Sequence, residues 1–233
     1  MRFWQSFPTQ MAFLRKCKLI ERTRGRYFLR AASQSPSEAF QPEAILLRNT
    51  VYGWGWPAMV LHWLAAAAIL TMLGLGWWMT HEMLPRSPER LSAFAWHAAL
   101  GYDLLVVTVL RLLWRLSGGV PALPENSGRW ERIAAVGGHV LLYLFTFATA
   151  LVGWALAGTM RVSLNKDLFG IPVLPIYINQ DRAVHGLLET THKYLAYTLA
   201  ALVAVHVVGA LRHHFVKRNN VLRRMLRPAA QPV

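Results

Sequence analysis

The chain has 233 residues, 55% of them hydrophobic and only 15% charged, with a mean hydropathy of +0.29. Such long apolar runs with so few charges exclude an ordinary soluble domain of this size. The formal net charge of +14 is of the size a nucleic-acid binder carries, but its distribution along the chain argues for membrane topology instead, and Cys17, the single cysteine, excludes an intrachain disulfide.

Residues 1–50 are polar and Arg-rich, with a Ser/Pro/Glu patch over Ser33–Glu43 that reads as flexible linker. No apolar core follows the early charges, so a cleaved secretory signal is not expected. The segment is expected to be a disordered tail, or residues upstream of the true start. Four apolar stretches follow: Pro57–Thr80, Leu91–Leu110 (broken only by Asp103), Ile133–Met160 and Tyr194–Leu211. Each approaches the roughly 20 residues a spanning helix needs.

The first span is expected over about Pro57–Met79, with Pro57 at the first helical position, where its missing N–H costs nothing. A short loop with Pro85 and Pro88 leads to a second span over about Ala93–Trp114, ended by Gly118, Gly119 and Pro121. The third covers about Ile133–Ala157. A long loop, Gly158–Arg182, carries Pro172 and Pro175 and little helical periodicity. The fourth runs from about Val184 to Phe215. Short connections predict an all-α membrane protein, a four-helix antiparallel bundle over residues 51–216, with a basic tail over 217–233.

Lys and Arg fall unevenly about these spans. Nine precede Pro57, Arg115, Arg129 and Arg132 lie between spans two and three, and six follow Leu211. The two opposite loops hold only Arg86, Arg90, Arg161, Lys166 and Arg182. Eighteen against five predicts both termini of this multi-pass protein in the cytoplasm, with contact to membrane lipid and none to nucleic acid.

Nine histidines are present, most within or beside the spans. An ionisable residue inside a membrane helix is costly and points to function. His192 and His206 lie fourteen residues apart on span four. That is four turns of a left-handed bundle helix, so both rings face inward, separated by a rise of roughly 21 Å. The offset recurs on every span: His62 with Gly76, His97 with Arg111, and His139 with Gly153.

His97 and His192 are expected near the outer face, with Gly76 and Gly153 at the same depth leaving room for a flat macrocycle. His62, His139 and His206 are expected at the inner depth. Arg111, in phase with His97, would reach haem propionates there. Neutral imidazoles on facing helices can hold haem iron on both axial sides, and with both positions filled the iron passes electrons rather than binding oxygen. No C-x-x-C-H occurs, so the usual covalent c-type attachment is excluded. Spacing alone defines the outer pair and leaves three inner candidates.

The other residues have plainer expectations. Tryptophans near the span ends, among them Trp54, Trp56, Trp77, Trp78, Trp96, Trp114, Trp130 and Trp154, suit an interfacial belt. Asp103, the one acid inside the four apolar stretches, lies about 120° around the helix from His97, placed to bond a neighbouring helix or to take up a proton at a quinone site. Arg111 and Arg115 can snorkel to headgroups. His81 and His185 read as loop residues, and His213 and His214 as interfacial ones. Lys193 reads as a snorkelling lysine or a propionate partner.

These residues resemble the bacterial cytochrome b561 family of small di-haem inner-membrane cytochromes. The matching segments are Leu61-His62-Trp63, His97 with Leu100-Gly101, and Gly138-His139-Val140-Leu141-Leu142-Tyr143. Thr191-His192-Lys193, His206, His213-His214-Phe215 and Leu222-Arg223-Arg224-Met225-Leu226 complete them, so the resemblance covers about residues 50–228. It implies two haem b groups, His97 with His192 as one axial pair and His62 with His206 as the other, and His139 as a neighbour or alternative inner ligand. It further implies electron transfer to or from ubiquinone, with superoxide oxidation at the outer face as its sharpest version. The alternatives are a cytochrome subunit anchoring a dehydrogenase or hydrogenase as redox partner, and a haem-free metal transporter.

Overall fold

The computed structural model describes residues 47–50, 53–123, 128–160 and 181–227. The tail over residues 1–46 and most of the Gly158–Arg182 loop lie outside the described residues. Four long helices account for most of the rest: α1 (Trp56–His81), α2 (Pro88–Ser117), α3 (Arg129–Gly158) and α4 (Arg182–Leu211). All four are long and apolar enough to cross a membrane.

The second, third and fourth helices begin outside their apolar runs because polar groups close the first turn. Ser87 Oγ accepts from Arg90 N at the start of α2, and Asp181 Oδ1 accepts from Ala183 N at the start of α4. Glu131 reaches back to Gly128 N at the start of α3. Unpaired amide N–H groups at a helix start need such acceptors. The first helix starts at Trp56 rather than Pro57, so the proline sits one position later than expected, which its missing N–H still permits. The preceding Gly55 packs against the Leu47 carbonyl with no room for a side chain, and its N–H donates to Asn49 Oδ1.

Cross-helix contacts fix the register. Met72 lies against Gly101, and Arg111 bonds His62 between α1 and α2. Tyr102 meets Trp154, and Arg111 lies over Tyr143, between α2 and α3. Thr159 bonds His185, and Glu131 pairs with Arg212, between α3 and α4. In each pair a rising number on one helix meets a falling number on the next. The bundle is therefore antiparallel throughout. We call the end where α1 finishes the upper end and the opposite one the lower end.

Leu64, Leu70, Val140, Leu144, Val205 and Val208 point outward and exposed. In water so much apolar surface would be unsustainable, but around a membrane bundle it faces lipid. A π-helical turn, Arg212–Val216, extends α4, and the chain then folds back beneath the lower end. Arg212 and Lys217 both grip the Glu131 carboxylate, at 3.0 and 2.6 Å. Trp63 Nε1 donates to Met225 O at 2.8 Å, and Arg224 donates to Ala122 O at 2.7 Å.

Candidate haem-binding site

A seven-residue lattice runs along the inward seam of every helix. Along α4 and the π-helical turn that extends it, the lattice reads His185, His192, Leu199, His206 and His213. The upper layer comprises Gly76, His97, Gly153 and His192. The lower layer comprises His62, Arg111, His139 and His206. Midway between them lie Ile69, Leu104, Thr146 and Leu199, of which the last three are 5%, 5% and 3% exposed. The histidines thus occupy two levels separated by a packed, mostly apolar layer.

In the upper layer the His97 and His192 ring centres are 6.1 Å apart, with planes at 82°. One metal held by two imidazole nitrogens at about 2.0 Å, each about 1.1 Å from its ring centre, separates the centres by about 6.2 Å. His192 Nδ1 lies 3.0 Å from Thr149 O. A carbonyl only accepts, so Nδ1 carries the proton and Nε2 presents its lone pair, the tautomer that metal ligation requires. His97 Nδ1 is buried and has no hydrogen-bond partner.

The two glycines have a role that spacing alone does not disclose. A Cβ added at Gly76 would stand 3.2 Å from His97 Cε1, and one at Gly153 would stand 2.8 Å from His192 Cε1. The absent side chains therefore admit the imidazole of the next helix, where room for a macrocycle was expected. Side chains point toward the helix N-terminus, so an imidazole leans over its neighbour's backbone, and only a residue without Cβ lets it come so close.

The lower layer is more crowded. His206 faces two rings, His62 at 6.3 Å and His139 at 5.4 Å between centres. His139 Nδ1 bonds the Ala135 carbonyl of its own helix, leaving Nε2 with its lone pair. His62 Nδ1 lies 2.9 Å from Arg111 Nη2. A guanidinium only donates, so Nδ1 accepts there and the ring proton sits on Nε2. His62 has the separation for a shared iron, whereas His139 has the tautomer. Arg111 also lies over the Tyr143 ring, 5.2 Å from its centre, and Tyr143 Oη is buried without a hydrogen-bond partner.

The remaining polar residues lie elsewhere. His81 stacks on Trp77 at the upper end, and Arg115 lies over Trp54 at the lower end. His185 is the first-turn partner of Thr159 rather than a free loop residue, and His213 accepts from Asn219 Nδ2 at 2.8 Å. Lys193 points outward, away from the seam. Asp103 is buried on α2, yet its Oδ2 makes no hydrogen bond to a neighbouring helix. Among the described residues no three His, Cys, Asp or Glu side chains gather as a metal cluster, whereas a haem iron needs only two axial ligands.

The profile of the family described as "Prokaryotic cytochrome b561" matches residues 53–228, most of the chain and all four helices. This protein belongs to the prokaryotic cytochrome b561 family. It is therefore a membrane cytochrome of b type. Cytochrome b561 homolog 2 of Escherichia coli (strain K12) is 28% identical over 183 residues, covering 76% of this chain and 93% of the relative. A probable Ni/Fe-hydrogenase B-type cytochrome subunit of Rhizobium leguminosarum bv. viciae is 28% identical over 223 residues, covering 79% and 90%. A probable superoxide oxidase CybB of Yersinia pestis is 26% identical over 170 residues, covering 71% and 91%. Relatives of this b561 cytochrome thus carry names from two functional settings.

Proposed function

We propose that this cytochrome holds two haem b groups, one per layer, and carries electrons across the bilayer to or from a quinone. The observation that carries this reading is the pair of imidazole separations, 6.1 Å for His97–His192 and 6.3 Å for His62–His206, fourteen residues apart along α4. Haem iron cycling between ferric and ferrous supplies the redox chemistry when bound. The protein supplies everything else. His97 and His192 would hold the haem of the upper layer, and the Thr149 carbonyl holds the proton of His192 on Nδ1. In the lower layer His62 and His206 would hold the second haem, and Arg111, now bonded to His62, would supply the cation for a propionate. We prefer His62 to His139 because its ring already stands at the bridging distance, while the shorter 5.4 Å gap would have to widen. His139 remains the neighbour that shapes this layer.

In this reading the termini, and with them the lower layer, lie on the cytoplasmic side of a bacterial inner membrane, an orientation supported by the excess of Lys and Arg at that end. Electrons would then enter or leave at His97–His192 on the outer side. Superoxide oxidation with ubiquinone reduction is the sharpest form of this activity, supported by the likeness to a probable superoxide oxidase. A second reading, an electron-relaying anchor subunit of a hydrogenase or dehydrogenase, has its own support in the likeness to the hydrogenase cytochrome subunit.

Purified protein given a superoxide source and a ubiquinone analogue separates the two. Quinone-dependent superoxide consumption by the protein alone favours the oxidase. Haem that stays reducible only through a co-purifying dehydrogenase favours the anchor. A colourless protein contradicts both.

A further inference from the structure

Asp103 has no place in the scheme above, yet its setting is unusual. It is 8% exposed, it lies in the middle of α2, and its Oδ2 is buried without a hydrogen-bond partner. It sits six residues from His97 and eight from Arg111, hence roughly 9 Å and 12 Å along the helix axis from the two layers. It adjoins Leu104 of the packed middle layer.

The helices around it offer no counter-charge at that depth. On α1 nothing ionisable lies between His62 and His81, and on α3 only Tyr143 lies between His139 and Gly158. On α4 the stretch between His192 and His206 holds Lys193, Tyr194 and Tyr197, all three exposed away from the bundle interior. On α2 itself the flanking ionisable groups are His97, Tyr102, whose ring lies against Trp154, and Arg111. Thr108, one turn further on, spends its hydroxyl on the Leu104 carbonyl at 2.7 Å.

An ionised carboxylate without a partner in apolar surroundings is costly. A ferric bis-imidazole haem carries net positive charge on its core and offsets such a carboxylate across a low dielectric, whereas a ferrous one is neutral and does not. We propose that Asp103 couples electron transfer through this bundle to proton uptake, binding a proton when a neighbouring haem is reduced and releasing it on oxidation. The balance is simple. The electron donor reduces the iron from ferric to ferrous, one proton from water joins the carboxylate oxygen, and reoxidation returns both. The inference rests on the haem-binding reading proposed above.

Potentiometric titration of the purified holoprotein over a range of pH tests it. The extra proton bound in the reduced state makes reduction easier at low pH. The ferrous-to-ferric equilibrium constant of at least one haem should therefore fall by up to about tenfold per unit rise in pH. The variant Asp103→Asn should keep its haem and lose that dependence. A wild-type potential independent of pH, or an unchanged dependence in Asp103→Asn, overturns the proposal.

Should the variant fail to accumulate, reduced-minus-oxidised infrared difference spectra of the wild type still decide. A protonated-carboxyl band must appear on reduction, and its absence contradicts the proposal. Failure of the haem reading looks different, because a protein without haem has no potential to titrate.

Discussion

In the upper layer each imidazole meets a glycine across a helix interface, His97 against Gly76 and His192 against Gly153. In the lower layer three histidines, Arg111 and Tyr143 share one level, and His206 faces two rings at 6.3 and 5.4 Å. The glycine-backed layer leaves each ring one partner, whereas the polar one leaves its rings a choice. Substitutions at the two levels should therefore behave differently. Upper changes should act all or none, and lower changes should be graded and partly rescued by neighbours.

The largest effect belongs to the upper ligands. Replacing His97 or His192 by Ala should remove one of two haems per chain, halving the haem absorbance per protein in a purified sample. An upper layer that kept its haem after either change would break the comparison at once.

His62→Ala should next lose the lower haem, while His139→Ala should keep both haems and alter only their spectrum or potential. Reversal of that order would make His139 the lower ligand, in keeping with its Nδ1 bond to Ala135 and its free Nε2.

Glycine substitution sharpens the contrast within the upper layer. A methyl at Gly153 would stand 2.8 Å from His192 Cε1, against 3.2 Å for Gly76 and His97. The closer contact must force a ring or helix shift, at a cost of about 1–3 kcal/mol. Gly153→Ala should thus lower upper-haem occupancy markedly and Gly76→Ala only slightly, as read from haem content at limiting haem supply.

The smallest effect is electrostatic. Arg111→Gln should retain both haems but lower the potential of the lower one, because a cation nearby favours the electron-rich ferrous form. A change of about 1 kcal/mol corresponds to a few tens of millivolts for a one-electron couple, within reach of redox titration. An unchanged potential would place Arg111 away from the cofactor.

Much of this was legible in the sequence because membrane helices leave few ambiguities. Uncharged stretches gave the four spans, and the fourteen-residue offsets placed the histidines in two layers that the structure reproduces. The rest turned on contacts that spacing cannot report. Helix starts fell outside the apolar runs because Ser87, Glu131 and Asp181 extend them with polar first turns. The glycines were read at the right depth, but their actual neighbours are imidazole rings, which depends on side-chain lean rather than on periodicity. Arg111 on His62, and the return of the C-terminal segment to Trp63 and Glu131, join residues far apart in the chain. The packed middle layer was accessible from the same seven-residue step, since Leu104, Thr146 and Leu199 continue the lattice halfway between histidines.

Haem-to-protein stoichiometry of the purified chain, determined from pyridine haemochrome absorbance against quantitative amino-acid analysis, tests the central claim most directly. Two haem b per chain is the predicted value. One haem, or none, after expression with ample haem would contradict the assignment of an iron to each layer.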